Sequence, residues 1–418
     1  MSRDSPLRVV VLTTYFAPVI GGVESTAERL ARFLARTGVV TRVLTKRVTP
    51  DLPDQETSDR VQIERIGAPG DRDPWGKWRL IPAATRWLIA QRDTYDVVCC
   101  IDYRGLGCAA LLARRITRRP VLFQAQTTGV LSAGNADGVL SRFGIAPGAA
   151  IGRAAKGMVT RLYAGADAFA CISHEIERET RAAGVAAERI HYLPNPVDTA
   201  HFRPASDEER PGVRARFGVN DARVIVAFAG RLSREKGLAE LLEAWRLLTA
   251  NGVLAAQARA DGAPPVLLVG GPDMPGHAWN LGESARTFVA EHGLETSVRF
   301  LGPLRDVAPL YRAADVAVVP SHFEALGLSA LEALACGTPV VASAVGGLLD
   351  FMRDGVNGAL CPPQDSVALA GQIALLMQDR ERRGRLAAQA RATVEPSYSE
   401  AAVLARFGDL LRLLGTRR

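Results

Sequence analysis

Cysteine is scarce in this chain. Six are scattered over 418 residues, two of them adjacent at Cys99 and Cys100, and they show neither the density of a disulfide framework nor the spacing of a metal site. Reduced core thiols in a cytosolic protein are the expectation. No uninterrupted apolar stretch approaches the roughly 20 residues that span a bilayer. Residues 1–6 run directly into Arg8-Val-Val-Val-Leu12, too short and too quickly polar for a signal peptide. Dense Lys/Arg runs interleaved with aromatics, zinc knuckles and basic heptads are all missing, so nucleic acid is not indicated. Walker-type and Gly-x-Gly-x-x-Gly sequences are missing too, which argues against a P-loop NTPase or a dehydrogenase. The 51 basic and 44 acidic residues leave a formal charge of +7. That mild excess reads either as a weak attraction for anions or as a solvated, arginine-rich surface.

What is present excludes disorder: 48% of the residues are hydrophobic. The length suits two or three domains at about 150 residues each. Short apolar runs alternate with helical periodicity, the pattern of parallel sheets covered by helices. Residues 8–14 form a continuous apolar and β-branched run, as in a strand buried on both faces. After a loop, Val23, Ala27, Leu30, Ala31 and Leu34 recur at helical spacing and stop near Gly38. Further strands are expected at 39–45, 96–101, 120–124, 168–172 and 190–193. A second series is expected at 224–229, 266–269, 298–301, 316–319 and 339–342, with helices at 238–249 and 328–335. Prolines 194, 196, 204 and 211 mark a hinge between the series. The expected fold is α/β, with two doubly wound, Rossmann-like domains facing a central cleft, 1–197 and 205–397. Ligands of such sheets bind at the carboxyl ends of strands.

Three loops there carry chemistry. Around Gly21 and Gly22, paired glycines before a helix allow close backbone approach to an anion, or simply make a tight turn. The segment Gly230-Arg-Leu-Ser-Arg-Glu-Lys-Gly237 places Arg231, Arg234 and Lys236 between a strand and a helix. Fork and point charge together suit a diphosphate; a solvated basic turn is the alternative. The third runs from Val319 to Pro339 and holds Glu324 in a loop and Glu332 in the following helix. Two carboxylates beside a phosphate loop suit ribose and sugar hydroxyls, although either glutamate alone also reads as an ordinary helix residue.

At this third loop the chain resembles the retaining glycosyltransferases of family 4, glycosyl transferases group 1, with the two-domain GT-B architecture. The resemblance covers almost the whole chain. It runs through Phe16-x-Pro-x-x-Gly-Gly-x-Glu24, Ala166-Asp-Ala-Phe-Ala-Cys-Ile-Ser173, Leu193-Pro-Asn-Pro-Val-Asp198 and Gly230-Arg-Leu-x-x-x-Lys-Gly237. It continues through Phe300-Leu-Gly302, the Glu324/Glu332 pair and Gly337-Thr-Pro-Val-Val341. Such an enzyme (EC 2.4, hexosyltransferase type) transfers a sugar from a UDP- or GDP-sugar to a glycan, lipid-linked or small-molecule acceptor. The resemblance implies that Arg231 and Lys236 hold the diphosphate, with Gly21 and Gly22 assisting from the other domain. It places Glu332 on the ribose, Glu324 on the transferred sugar, and the backbone of Leu326, Gly327 and Leu328 near the diphosphate, with Leu304 at the base. Glu324, Arg231 and Lys236 would be the catalytic set. No metal or other cofactor is implied, and the short Asp71-Arg-Asp73 is set aside as a metal motif. The last helix, within 398–418, would cross back onto the N-terminal domain.

Two departures stand out. Asn195-Pro196 replaces the family's Asn-Gly, and Gln126 stands nearest to where many members carry a histidine. Glutamine is no base, so Gln126 would contact sugar or acceptor by hydrogen bonds alone. Acceptor choice should reside in the N-terminal domain. There, 75–82, 86–88 and 141–163 mix aromatics, cations and small apolar residues. They read either as helices packed on the sheet or as a peripheral contact with an anionic membrane, at its inner face. A GT-B-shaped epimerase or phosphorylase, and a non-catalytic nucleotide-sugar-binding protein, are the competing readings.

Overall fold

The computed structural model describes residues 6–19, 22–67, 69, 76–131 and 150–416. Gly21, Asp71, Asp73, Trp75 and residues 141–149 lie outside them. The chain divides into two compact units, Met1–Asn195 with Val403–Arg418, and Pro196–Ala402.

The first unit is built on strands β1 (Arg8–Leu12), β2 (Val40–Lys46), β3 (Gln55–Ser58), β4 (Val61–Ile66), β5 (Val97–Ile101), β6 (Val121–Ala125), β7 (Ala168–Cys171) and β8 (Ile190–Tyr192). Their order in the sheet is β3-β4-β2-β1-β5-β6-β7-β8, all parallel except the β3/β4 pair. Strand β1 is flanked by β2 and β5 and buried on both faces, hence its unbroken Val9-Val10-Val11-Leu12 run. The β3/β4 hairpin is absent from the sequence-based expectation. Its turn residues Asp59 and Arg60 both take positive φ (48° and 67°) without the Asn-Gly signature of a two-residue turn. Three of the four β3 residues are exposed, so no apolar alternation betrays the strand.

The helix Gly22–Arg36 buries Ala27, Leu30, Ala31 and Leu34 against the sheet. In the same core lie Leu404, Phe407, Leu410, Leu411 and Leu414 of the final helix, Glu400–Thr416, together with Val9, Val11 and Val43. These side chains repeat every three or four residues, and that apolar stripe holds the end of the chain to the first unit.

The second unit carries β9 (Ile225–Ala229), β10 (Val266–Gly270), β11 (Val298–Gly302), β12 (Val316–Val319), β13 (Val340–Ser343) and β14 (Gly358–Cys361). The order is β11-β10-β9-β12-β13-β14, parallel throughout. Strand β14, at the sheet edge, is another strand without a sequence-based forecast; its Gly-Ala-Leu-Cys contains no β-branched residue. Trp245, fully buried in the helix Leu238–Ala250, anchors the core and donates from Nε1 to Ser297 Oγ at 3.1 Å. Both sheets are the α/β, doubly wound type that the alternating pattern predicts.

Candidate active site

In the second sheet the winding reverses between β9 and β12: β10 and β11 lie to one side of β9, β12 to β14 to the other. The carboxyl ends at such a switch point form the ligand crevice of open α/β sheets. Both sequence-flagged loops of this unit open there. One leaves β9 through Gly230 to a short 3₁₀ turn, Arg234–Lys236; the other leaves β12 through Pro320 to the helix Leu328–Ala335.

Glycine sets how closely the loops approach. Gly237 takes φ +70°, and a Cβ there would collide with the carbonyl of Pro320. Gly271, at φ +149°, likewise leaves room for the carbonyl of Gly230 and donates to the Gly302 carbonyl at 2.8 Å. The β9 loop is also pinned to the segment after β10, through Leu232 N–H to Pro272 O (3.1 Å) and Arg234 N–H to Trp279 O (2.9 Å).

This packing brings Lys236 Nζ within 2.6 Å of Glu324 Oε1. The Ser321 hydroxyl donates to the same oxygen at 2.8 Å. Glu324 is buried, with its backbone carbonyl accepting from Gly347 N–H at 2.9 Å. Both side-chain contacts fall on Oε1. Among the described residues Oε2 has no hydrogen-bond donor, which leaves it open to a ligand hydroxyl. Ser321 was not singled out from the sequence; its place between Pro320 and Glu324 in a strand-end loop is the signal that could have found it. Arg231, nearly half exposed, pairs with Glu235 four residues on and lies 3.9 Å from Met274 Sδ.

Gly327 precedes the helix Leu328–Ala335 at φ +94°, with no side-chain cap at that end. Uncapped N–H groups of a first turn can receive phosphate oxygens. A Cβ on Gly327 would collide with Leu348, so the loop lies tight on that core residue, beside buried Leu326 and half-buried Leu328. Glu332 is half-buried on the same helix. Beneath it Tyr311 is fully buried with its hydroxyl unpartnered, and burial, then the charge of Glu332, pushes the phenol well above its ordinary value. Leu304 follows β11 and abuts Gly270, where a Cβ would crowd it. His322 stands in the loop after β12 with Nε2 2.9 Å from Glu240 Oε1. Arg231, Lys236, Leu304, Glu324, Leu326, Gly327, Leu328 and Glu332 therefore all belong to the second unit, and of these Lys236 and Glu324 are in direct contact.

In the first unit Gly22 opens the helix after β1 and is exposed. Gln126 lies just past β6 and accepts at Oε1 from Asn195 Nδ2 at 2.8 Å. The neighbouring Gln124 is buried with its own Oε1 unpartnered. His174, at the start of a helix, pairs with Glu177 at 2.6 Å and stacks on Tyr192. Among the described residues no cluster of three or more His, Cys, Asp or Glu side chains could hold a metal ion.

Comparison with known proteins converges on one family. The pattern of glycosyl transferases group 1 matches residues 209–393, and that of the glycosyl transferase 4-like domain matches residues 21–196. The D-inositol 3-phosphate glycosyltransferase 1 of Catenulispora acidiphila is 31% identical over 401 residues, covering 93% of this chain and 91% of the relative. A D-inositol 3-phosphate glycosyltransferase of Geodermatophilus obscurus is 32% identical over 400 residues, covering 90% of this chain and 83% of its own. Among solved structures, sucrose-phosphate synthase from Thermosynechococcus elongatus superposes with a TM-score of 0.78 at 25% identity, over 98% of this chain and 99% of its own. HepE of Anabaena, solved with UDP-glucose, does so at 0.73 and 20% identity, over 97% of this chain and 100% of its own, a likeness of fold. With two doubly wound α/β sheets of the GT-B type and relatives matched over nearly its full length, the chain belongs to the group 1, family 4-type glycosyltransferases and is a glycosyl-transferring enzyme.

Proposed function

We propose that the chain transfers a hexosyl group from a UDP- or GDP-sugar to a glycan, lipid-linked or small-molecule hydroxyl, with retention of anomeric configuration and without a metal. The observation that carries this reading is the Lys236–Glu324 contact at the switch point of the second sheet, beside the uncapped helix start at Gly327. Lys236 and Arg231 take the diphosphate, joined by the N–H groups of Leu326 to Leu328. Glu332 accepts from the ribose hydroxyls, the backbone near Leu304 meets the base, and Glu324 accepts from the sugar through Oε2. The C1–O bond breaks through an oxocarbenium-like transition state, its electron pair going to the departing phosphate oxygen. The cations stabilise that growing charge. The acceptor oxygen bonds to C1 on the face the nucleotide leaves, and its proton passes to the leaving oxygen.

The names of the inositol phosphate relatives favour a phosphorylated polyol acceptor, bound by the first unit with Gln126 and Asn195 contributing hydrogen bonds. A peripheral contact with an anionic bilayer, on the cytoplasmic face, is the part of the proposal that concerns location. It draws on exposed Leu112, Ile116 and Met158 on helices that carry cations and no acidic residue. Among the described residues no helix is long and apolar enough to cross a membrane.

Thermal unfolding with a panel of nucleotide sugars tests the donor site. A ligand at a hundred times its Kd stabilises the folded state by about 2.7 kcal/mol. At least one UDP- or GDP-sugar should raise the Tm of the native protein by several degrees and leave that of Lys236→Ala unmoved. An equal rise in both would remove Lys236 from the donor site.

A further inference from the structure

In the first sheet the winding reverses between β1 and β5, so the crevice outside their carboxyl ends is this unit's own ligand position. The loop that leaves β5 there is Asp102-Tyr103-Arg104-Gly105. Tyr103 anchors it: the ring is buried, stacked on Phe123 at 4.4 Å and edge-on to Tyr163 at 5.4 Å. Asp102 adopts φ +50°, a left-handed conformation that a side chain takes at a cost, and donates its N–H to the Gln124 carbonyl at 3.0 Å.

From this fixed base the two carboxylate oxygens of Asp102 accept from Arg104 Nε at 2.6 Å and Nη2 at 2.7 Å. The pairing uses one edge of the guanidinium. Its other edge, Nη1 with the second Nη2 proton, forms another planar fork. It has no hydrogen-bond acceptor among the described residues, and the Arg104 side chain is 41% exposed. Asp102 therefore aims the arginine without consuming it, and a guanidinium so held loses little freedom on binding an anion. Asp102 also balances one positive charge, so the surroundings decide the sign of the field. The helix Leu106–Thr117 begins immediately after this loop with no side-chain cap, and the partial positive charge of such a helix start favours an anion.

We infer that Arg104 is the anchor for a phosphate monoester on the acceptor, taken in bidentate fashion by the open edge of its guanidinium. This rests on the reading that the first unit binds the acceptor, and it narrows that acceptor to phosphorylated hydroxyl compounds. No short motif marks the position. The sequence reading passes over Arg104 because the significance of an arginine two residues after a strand end depends on which strands are neighbours.

Calorimetric titration of D-inositol 3-phosphate and of unphosphorylated inositol into the full-length protein, with and without UDP or GDP, tests the inference. The wild-type chain should bind the phosphorylated compound at least tenfold more tightly. Arg104→Gln should bring the two within about twofold, and Arg104→Lys, which keeps the charge but loses the fork, should retain part of the preference. The affinity for the nucleotide should be the same in all three proteins. A wild-type chain without the phosphate preference, or an Arg104→Gln variant that keeps it, would overturn the inference. Failure of the wild-type protein to bind either UDP or GDP would contradict the donor reading instead, and the titrations without nucleotide report on Arg104 separately.

Discussion

At Gly237 the backbone turns through φ +70° directly against the Pro320 carbonyl. No L side chain fits that space, and few adopt that conformation. Lys236 is the next residue back, so the glycine decides whether its ammonium reaches Glu324. Gly237→Ala should lower the unfolding free energy by roughly 2 kcal/mol or more, and chemical denaturation monitored by Trp fluorescence reads this directly. A variant within about 0.5 kcal/mol of the wild type, the ordinary range of surface substitutions, would mean the two loops are not held in contact. Individual residues of this kind are legible from the sequence as types but not as pairs. Lys236 and Glu324 each stand in a recognisable loop, yet they are 88 residues apart and nothing local joins them. Asp102 and Arg104 are harder still, because their meaning depends on a backbone conformation that no residue type announces.

At the level of elements, legibility follows burial. Strands β1, β5, β9, β10 and β12 are covered on both faces and read as unbroken apolar runs. Strand β3 is mostly exposed and β14 contains no β-branched residue, so neither announces itself. Helices declare themselves by their stripes, but a stripe does not say what covers it. On the helix Leu106–Thr117, Leu112 and Ile116 remain 42% and 60% exposed, and Met158 on the helix Ala150–Tyr163 is 70% exposed. Arg114, Arg115, Arg153, Lys156 and Arg161 lie on the same two helices, which carry no carboxylates, and it is for this face that we propose an anionic lipid surface. The protein should co-sediment with vesicles containing phosphatidylglycerol and not with purely zwitterionic ones, and added salt should weaken the binding. Recovery in the supernatant with both kinds of vesicle would contradict a membrane contact.

For the whole molecule, alternating strand and helix patterns specify an α/β chain, and the order of short motifs specifies the family; each motif alone is weak. The residues proposed for the two sites lie where each sheet reverses its winding, Lys236, Glu324 and Ser321 in one unit and Gly22, Asp102 and Arg104 in the other. Topology thus does what no local pattern can, by gathering loops that are distant in sequence. The final helix illustrates the same point. Its buried Leu404, Phe407, Leu411 and Leu414 complete a core begun four hundred residues earlier at Val9 and Val11.

Turnover tests the Lys236–Glu324 pair most directly. With UDP- and GDP-sugars supplied together with D-inositol 3-phosphate, release of free nucleoside diphosphate should be seen with at least one donor. Lys236→Ala and Glu324→Gln should each lower the rate by about a hundredfold or more, the scale on which a removed transition-state contact is felt, while both proteins unfold at temperatures close to that of the native chain. Folded variants that release nucleoside diphosphate at the native rate would contradict the assignment of this pair to the reacting sugar.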